Sequence, residues 1–424
     1  MRTALGITLL ALSIYILFVT YKRSKRNQSP EVLPWFKFAS ADDAIARLHR
    51  MALVCKRPGS FSDKCKYAVV WPLLSLGRSL NLLVKNGRFV AREYGVGLWS
   101  QFGQLMYPAT FHNWAPKDYY LYRFWEKNRS RVRLYFQNFE VLSLMKWLHR
   151  ELDSNLIDDK LRFFEMCRQN NLKTAPVILA FVPGQNPRWV DDRMLFPAAD
   201  LTLKSTKESR GIGVEKWFYR SASETWKHGE AALDQSGLIS YCAQRASKAV
   251  HILQPTLKNH PSVAPFCKGG LCTLRLLSCR FLGQEPRVLL TTWRMPAGEA
   301  YVDNFYAGGL AAAVSPSGEL TTAVCKNLKK GFFTCHPDTG APIKGTTLPG
   351  FRQMVDLALS AHSQLKDFLF VGWDVAFTTE GPVLLQGNTD WCGQVVQMPN
   401  DQPLGETEFV EIIAQQLENL KHRA

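Results

Sequence analysis

The stretch Gly372–Asn388, GWDVAFTTEGPVLLQGN, reads as a β-hairpin: two apolar runs divided by a turn that contains Glu380, Gly381 and Pro382. Placing Thr378 to Pro382 in the loop pairs Phe377 with Val383 and brings Asp374 opposite Gln386. Side chains alternate between the two faces of a strand. One face therefore carries Trp373, Val375, Phe377, Val383 and Leu385 and belongs to a core. The other carries Gly372, Asp374, Ala376, Leu384, Gln386 and Asn388, gathering three oxygen-bearing side chains where cross-strand Cβ atoms lie roughly 5 Å apart. Two readings of that face follow from the residues alone: a solvated polar surface, or a site.

The chain has 424 residues, 46% of them hydrophobic, enough for two or more lobes with real cores and unlike a disordered or collagen-like protein. A formal charge of +16 and a pI near 9.4 imply an anionic partner: nucleic acid, a membrane surface, phosphates or an acidic polymer. Ala4–Tyr21 is an uncharged apolar run long enough, as a helix, to cross roughly 27 Å. It runs directly into YKRSKR without a small-residue cleavage site, which predicts an uncleaved single-pass anchor. Lys22, Arg23, Lys25 and Arg26 outweigh Arg2, so the positive-inside rule puts the C-terminal bulk in the cytoplasm. The ten cysteines include no C-x-x-C pair and no histidine at zinc-finger spacing, and read as simple thiols.

From the tether to about Arg150 the pattern is mainly helical. Ser40 is placed to cap a helix carrying Ile45, Leu48, Ala52 and Cys55. Tyr67–Val84, interrupted by Pro72 and Arg78, predicts a buried or membrane-surface helix pair, burial being the first expectation. The aromatic stretch Tyr107–Trp125 is expected to pack between helices, with sugar stacking and a headgroup-level belt as alternatives. From about Leu156 strands and helices alternate through PVILAFV, DLTLKS, GLISYCAQ and HILQPTL.

Leu201–Val214, LTLKSTKESRGIGV, is a strand ending in Lys204, then a polar loop with Arg210, Gly211 and Gly213. Glycines let backbone N–H groups approach phosphate oxygens, and a lysine at a strand end supplies a point charge. The segment matches neither the P-loop nor the dinucleotide fingerprint, and a Gly-x-Gly by itself is commonly a turn.

Taken in order, these pieces resemble the ATP-grasp superfamily. Asp159 and Lys160 in DDKLRFF open the helix before the ATP lobe, Lys204 and SRGIG follow, and ILQPTL with Gln254 resembles the hinge strand. Arg275 in TLRLLSC, Arg294 in LLTTWR and Asn304 in VDNFYAGG come next, then Asp374, Gln386 and Asn388 in the hairpin. Within the superfamily the chain is most similar to the sugar-transfer-associated, alpha-L-glutamate-ligase-related branch, over roughly residues 110 to 400. The segments NHP at Asn259, VDNFYAGG, HPDTG at His336 and LPG at Leu348 carry that similarity, with the hairpin itself.

The resemblance implies an α+β fold, two lobes with antiparallel sheets clasping ATP, and leaves unexplained the helical region and the one N-terminal transmembrane helix expected before them from the residues. The expected organisation is an anchor at 1–21, a basic tether and helical region at 22–150, a first lobe at 151–253 and a second, with a metal-binding hairpin, at 254–424. It implies ATP-dependent ligation of a carboxylate substrate to an amine acceptor through an acyl phosphate, in surface polysaccharide or cell-envelope modification, with a glycan among the candidate acceptors and no nucleic acid. Lys160, Lys204, Arg210, Gly211, Gly213 and Gln254 would bind the nucleotide. Arg275, Arg294 and Asn304 would hold the reacting groups, and Asp374, Gln386 and Asn388 would bind Mg2+. Gln386 stands where the family usually has Glu, which leaves open a one-metal mechanism or a lost activity. A phosphotransferase and a non-catalytic nucleotide-binding scaffold are the alternatives. His336 and Asp338 are second-tier candidates, either contacting the acceptor or forming a turn.

Overall fold

The computed structural model describes residues 43–55, 61–111, 114–190, 195–208, 213–298, 305 and 308–423. The expected anchor at 1–21, its basic flank and Ser40 lie outside them. Among the described residues no helix is long and apolar enough to cross a membrane. The chain forms two compact units. One holds the described residues up to Leu144 with Asp401–Val410, the other Met145–Asn400 with the residues from Glu411.

The first unit is helical. Its helix Ala44–Cys55 begins at Asp43, whose carboxylate accepts from the Ile45 amide at 3.0 Å, so Asp43 performs the N-terminal capping expected of Ser40. Phe61–Leu82 is one helix rather than a pair: it takes in Pro72 at the cost of one backbone donor, then passes through a π turn, Leu83–Gly87, into Arg88–Tyr94. The aromatic stretch packs as core. Trp114, Tyr119, Tyr120, Tyr122 and Phe124 are buried, and the Trp114 and Phe124 rings meet edge to face at 5.0 Å. Buried His49 lies 2.8 Å from the Glu140 carboxylate and 2.8 Å from the Arg133 carbonyl. Burial works against its charge, but Glu140 and the hydrogen bonds outweigh it and hold the imidazole above its ordinary pKa.

The second unit is built on two seven-stranded antiparallel sheets. The first comprises β1 (Leu179–Phe181), β2 (Arg188–Trp189), β3 (Leu201–Ser205), β4 (Glu215–Arg220), β5 (Thr225–His228), β6 (Ala231–Leu233) and β7 (His251–Pro255), in the order β2-β1-β7-β3-β4-β5-β6. The second comprises β8 (Thr273–Cys279), β9 (Arg287–Met295), β10 (Leu310–Ala313), β11 (Ala323–Val324), β12 (Phe332–Phe333), β13 (Phe370–Thr378) and β14 (Gly381–Asn388), in the order β12-β11-β10-β9-β8-β13-β14. GLISYCAQ lies within a helix, Gln235–Arg245.

Alternation sorts each sheet into a core face and a site face. On the first, Leu201, Leu203, Trp217 and Leu253 pack into one core with the Gln235–Arg245 helix, which leaves Thr202, Lys204, Lys216 and Gln254 on the other face. On the second, Leu274, Leu276, Trp293, Trp373 and Val375 pack with Met354, Ala358 and Ala361 of the helix Phe351–Ser363. Thr273, Arg275, Thr292, Arg294 and Asp374 are left facing away from that core.

The hairpin turns more tightly than its sequence suggests. Thr378 pairs with Gly381, Phe377 with Pro382 and Val375 with Leu384. A β-bulge between Asp374 and Val375 then takes up Leu385 as an extra residue, and Asp374 pairs with Gln386 after all. The expected faces are thus half right: Leu384, not Val383 or Leu385, joins Val375 in the core. Gly372 is required by contact, since a Cβ there would meet Trp391 Cβ at 2.5 Å.

Candidate functional site

Asp374 sits in one cross-strand row with Arg275 on β8 and Gln386 on β14. Its carboxylate is held by both arginines. Arg275 Nε is 2.8 Å from Oδ1 and Nη2 donates to Oδ2 at 3.1 Å, while Arg294 Nη2 donates to Oδ1 at 2.7 Å. Arg294 is steered there by Thr273, directly opposite on β8, whose hydroxyl accepts from Nε at 3.0 Å and Nη2 at 2.7 Å. Both guanidiniums and the carboxylate are largely buried, where opposite charges at 4 Å and an effective dielectric of 20 attract by about 4 kcal/mol.

Two lysines come next, Lys204 on β3 and Lys160 at the start of a helix. Lys160 opens the helix Lys160–Gln169, with Asp159 as its cap: the Asp159 carboxylate accepts from the Leu161 and Arg162 amides and from the Thr206 hydroxyl at 2.7 Å. The Lys160 ammonium donates to the carbonyls of Glu208 at 2.7 Å and Thr206 at 3.2 Å, fastening the chain that leads from β3 into the glycine loop. Burial lowers the Lys160 pKa, against the pull of Asp159 and, from the second sheet, of Asp374. Lys204 is half-buried, and no hydrogen bond or ion pair engages its ammonium among the described residues. Burial, helped by the neighbouring Lys160 charge, brings its pKa down to about 7. An amine in that condition is poised for an anion.

Gln254 is buried on β7 and donates to the Ala175 carbonyl at 3.2 Å. Gln386 donates to Asn388 Oδ1, and Asn388 donates to the Gly372 carbonyl at 3.0 Å. Arg210, Gly211 and Asn304 lie outside the described residues. Gly213, at the far end of the loop, has φ +67°, a conformation open to glycine and strained for most residues. The structure therefore brings Lys160, Lys204, Arg275, Arg294 and Asp374 into one electrostatic neighbourhood, with Gln386 and Asn388 at its edge and Gln254 set on the first sheet's open face. His336 is buried, its Nε2 2.8 Å from the Pro296 carbonyl, and Asp338 accepts from the Gly298 amide at 2.6 Å. Both pin the segment that follows Arg294.

Several neighbours were not singled out from sequence. Thr273 carried no motif. Lys216 shares a cross-strand row with Thr202 and Gln254, and its pKa is lowered by burial against the pull of Asp200 and Cys267. The Cys267 thiol is brought down to about 7, chiefly by the hydrogen bond with Cys272. Asp158 accepts from the Thr389 amide at 2.8 Å just beyond the hairpin, and burial pushes its carboxyl up.

For a nucleotide the fit is good: Lys204, which no hydrogen bond or ion pair engages among the described residues, stands beside the Lys160 charge, and two neighbouring cations suit a chain of phosphates. For magnesium the donors are of the right class, hard oxygens of Asp374, Gln386 and Asn388, but they include one carboxylate, already shared by two arginines. They fit one ion, not two. Among the described residues no cluster of three or more histidine, cysteine, aspartate or glutamate side chains forms a metal site.

Residues 143–411, which contain every one of these groups, match the family of sugar-transfer-associated ATP-grasp proteins. The chain belongs to that family. No curated protein matches this ATP-grasp chain. Among solved structures it is similar to the D-alanine–D-alanine ligase of Bacillus anthracis (13% identity, 63% of this chain and 70% of that one, TM-score 0.37). It is also similar to an L-amino acid ligase of Bacillus licheniformis (12% identity, 71% and 59%, TM-score 0.35).

Proposed function

We propose that this ATP-grasp protein is a membrane-anchored, ATP-dependent carboxylate–amine ligase of cell-envelope or surface-polysaccharide modification, working through an acyl phosphate. The observation that carries the reading is the pull of Asp374, held between Arg275 and Arg294 on the second sheet, on Lys160, which stands beside Lys204 of the first. Lys160 and Lys204 bind the phosphates and Gln254 borders the adenine. Arg275 and Arg294 hold the carboxylate and the phosphoryl group passing to it, where bidentate donors stabilise charge spread over several oxygens. The carboxylate oxygen attacks the γ-phosphorus and ADP leaves. The amine then attacks the acyl carbon, loses its proton and expels inorganic phosphate. Positioning and electrostatics suffice, so no protein nucleophile is needed. Asp374, Gln386 and Asn388 would hold one Mg2+, which supplies charge neutralisation for the phosphates.

Gln386 supports a second reading, a non-catalytic nucleotide-binding scaffold, because a neutral carboxamide that donates to Asn388 replaces a carboxylate. ADP release measured against candidate acids and amines separates the two: release that requires an acid supports the enzyme, and ATP binding without turnover supports the scaffold. Hydroxylamine present during turnover traps an acyl phosphate as a hydroxamate and sets the ligase apart from a phosphotransferase, whose product does not react.

A further inference from the structure

We propose that the first unit carries a second membrane contact, separate from the N-terminal apolar run: an apolar stripe on the helix Phe61–Leu82 and its continuation that lies on an anionic lipid surface. Along this stretch Trp71, Leu74, Ser75, Ser79, Gly87 and Val90 are buried. Leu73, Leu76, Leu80 and Val84 are exposed, the last by 82%. Spacings of three and four residues put these side chains on one side of a helix. Leaving Leu80 47% and Val84 82% in water forgoes part of the stabilisation that burying such side chains supplies.

The stripe does not end at Val84. The helix Leu98–Phe111 is tied to the π turn by Gln101, which donates to the Gly87 carbonyl at 3.0 Å and the Val96 carbonyl at 2.6 Å. A Cβ on Gly87 would meet Leu98 Cδ2 at 2.9 Å, so Leu98 stands beside that turn, followed by Trp99, which is 85% exposed. Lys85, Arg88 and Arg92 are exposed on the same continuous stretch, against one exposed acid, Glu93. Leucines and a tryptophan bordered by cations are the composition that lies in the interface of an anionic bilayer. The sequence supplies an independent pointer, since the 4–21 run and its four following cations would keep this unit near a membrane. That choice of occupant rests on charge complementarity; a second copy of this chain would meet the same cations on its own stripe.

The test uses the full-length chain in vesicles, with a benzophenone side chain introduced genetically in place of Val84 or, as a reference, of exposed Ser130. Irradiation in phosphatidylcholine–phosphatidylglycerol vesicles is expected to give lipid adducts at position 84 at least fivefold above those at position 130. Adduct yield should drop severalfold in pure phosphatidylcholine and in the Leu76→Glu, Leu80→Glu background, with thermal melts confirming that each variant folds. Equal lipid labelling at the two positions, labelling indifferent to lipid charge, or adducts at position 84 that join two protein chains or return to residues 1–42 would each overturn the proposal.

Discussion

Arg294 and Arg275, from neighbouring strands, converge on the single carboxylate of Asp374, whose side chain is only 13% exposed. The arrangement makes Asp374 the counter-charge that keeps two largely buried guanidiniums in place. Removing one member of such a group costs more than the group contributes as a whole, because the remaining charge is left without compensation. Asp374→Asn is therefore expected to destabilise the second unit by about 3–5 kcal/mol. Asp374→Asn combined with Arg294→Met should recover part of the loss. Denaturant unfolding of the single and double variants measures the coupling, and additive losses would mean that the contact carries no net energy.

Lys204 should act on stability and on binding in opposite directions. Its folded pKa, about 7, is far below the ordinary lysine value, so folding penalises the protonated amine, fully below pH 7 and progressively less up to about 10.5. Lys204→Met removes the penalty and should raise the melting temperature of the free protein at neutral pH. The same change is expected to weaken ATP binding roughly ten- to hundredfold through loss of a charge-assisted contact. Thermal melts and calorimetric titration read the two effects separately.

ATP binding should also take up a proton at Lys204, since phosphates raise the pKa that burial lowered. Uptake near half a proton is expected around pH 7, rising toward one by about pH 8.5 and vanishing below about pH 6. Titrations in buffers of different ionisation enthalpy measure it directly, and Lys204→Met should abolish it.

Two buried histidines predict sensitivity to mild acid. Burial lowers both His149 and His362 to about 4. Because the folded values are depressed, their contribution is fully present above about pH 6.5 and is lost as pH falls toward 4. Each is worth roughly 2–3 kcal/mol over that window. Among the described residues neither ring nitrogen of His149 has a hydrogen-bond partner, and the ring packs on Phe368 at 5.2 Å. His149→Phe should therefore leave stability nearly unchanged at pH 7.5 and improve it at pH 5, as urea unfolding at the two values would reveal.

Gln386→Glu places a second carboxylate opposite Asp374 and removes the donor that meets Asn388. The free protein should lose about 1 kcal/mol, since like charges across a strand pair repel. With Mg·ATP present the order should reverse, giving tighter magnesium dependence and a larger ligand-induced stabilisation. Identical melts of the two proteins in every condition would remove the hairpin from the metal site.

Much of the site was legible because strand alternation is a local rule. The outward Lys204 in LTLKS and the sheet-forming runs around Arg275 and Arg294 follow from a period of two, whereas the expected pairing of Asp374 with Gln386 holds only because the bulge takes up Leu385. The clamp on Asp374 was not legible. It joins residues 99 and 80 positions apart and depends on β8 lying between β9 and β13. Lys216 was missed because EKWFYR carries polar residues at both parities, so nothing in it marks which face is open. Pro72 misled for a different reason: a helix can give up one hydrogen bond when tertiary packing holds the rest, and packing is invisible to propensity.

The bulge at Leu385 has a consequence for how this hairpin can vary. It lets the tip follow one register while the end bearing Asp374, Gln386 and Asn388 follows another, so Leu385 serves as a spare link between them. Deleting it would straighten the strand yet leave Gln386 across from Asp374, and deleting Val383 would be met by the same erasure of the bulge, Leu384 passing to Ala376 and Leu385 to Val375. Lengthening or shortening on the tip side of Leu385 can be absorbed by forming or erasing the bulge. The end of the hairpin that bears Asp374, Gln386 and Asn388 is in this way insulated from drift at its tip.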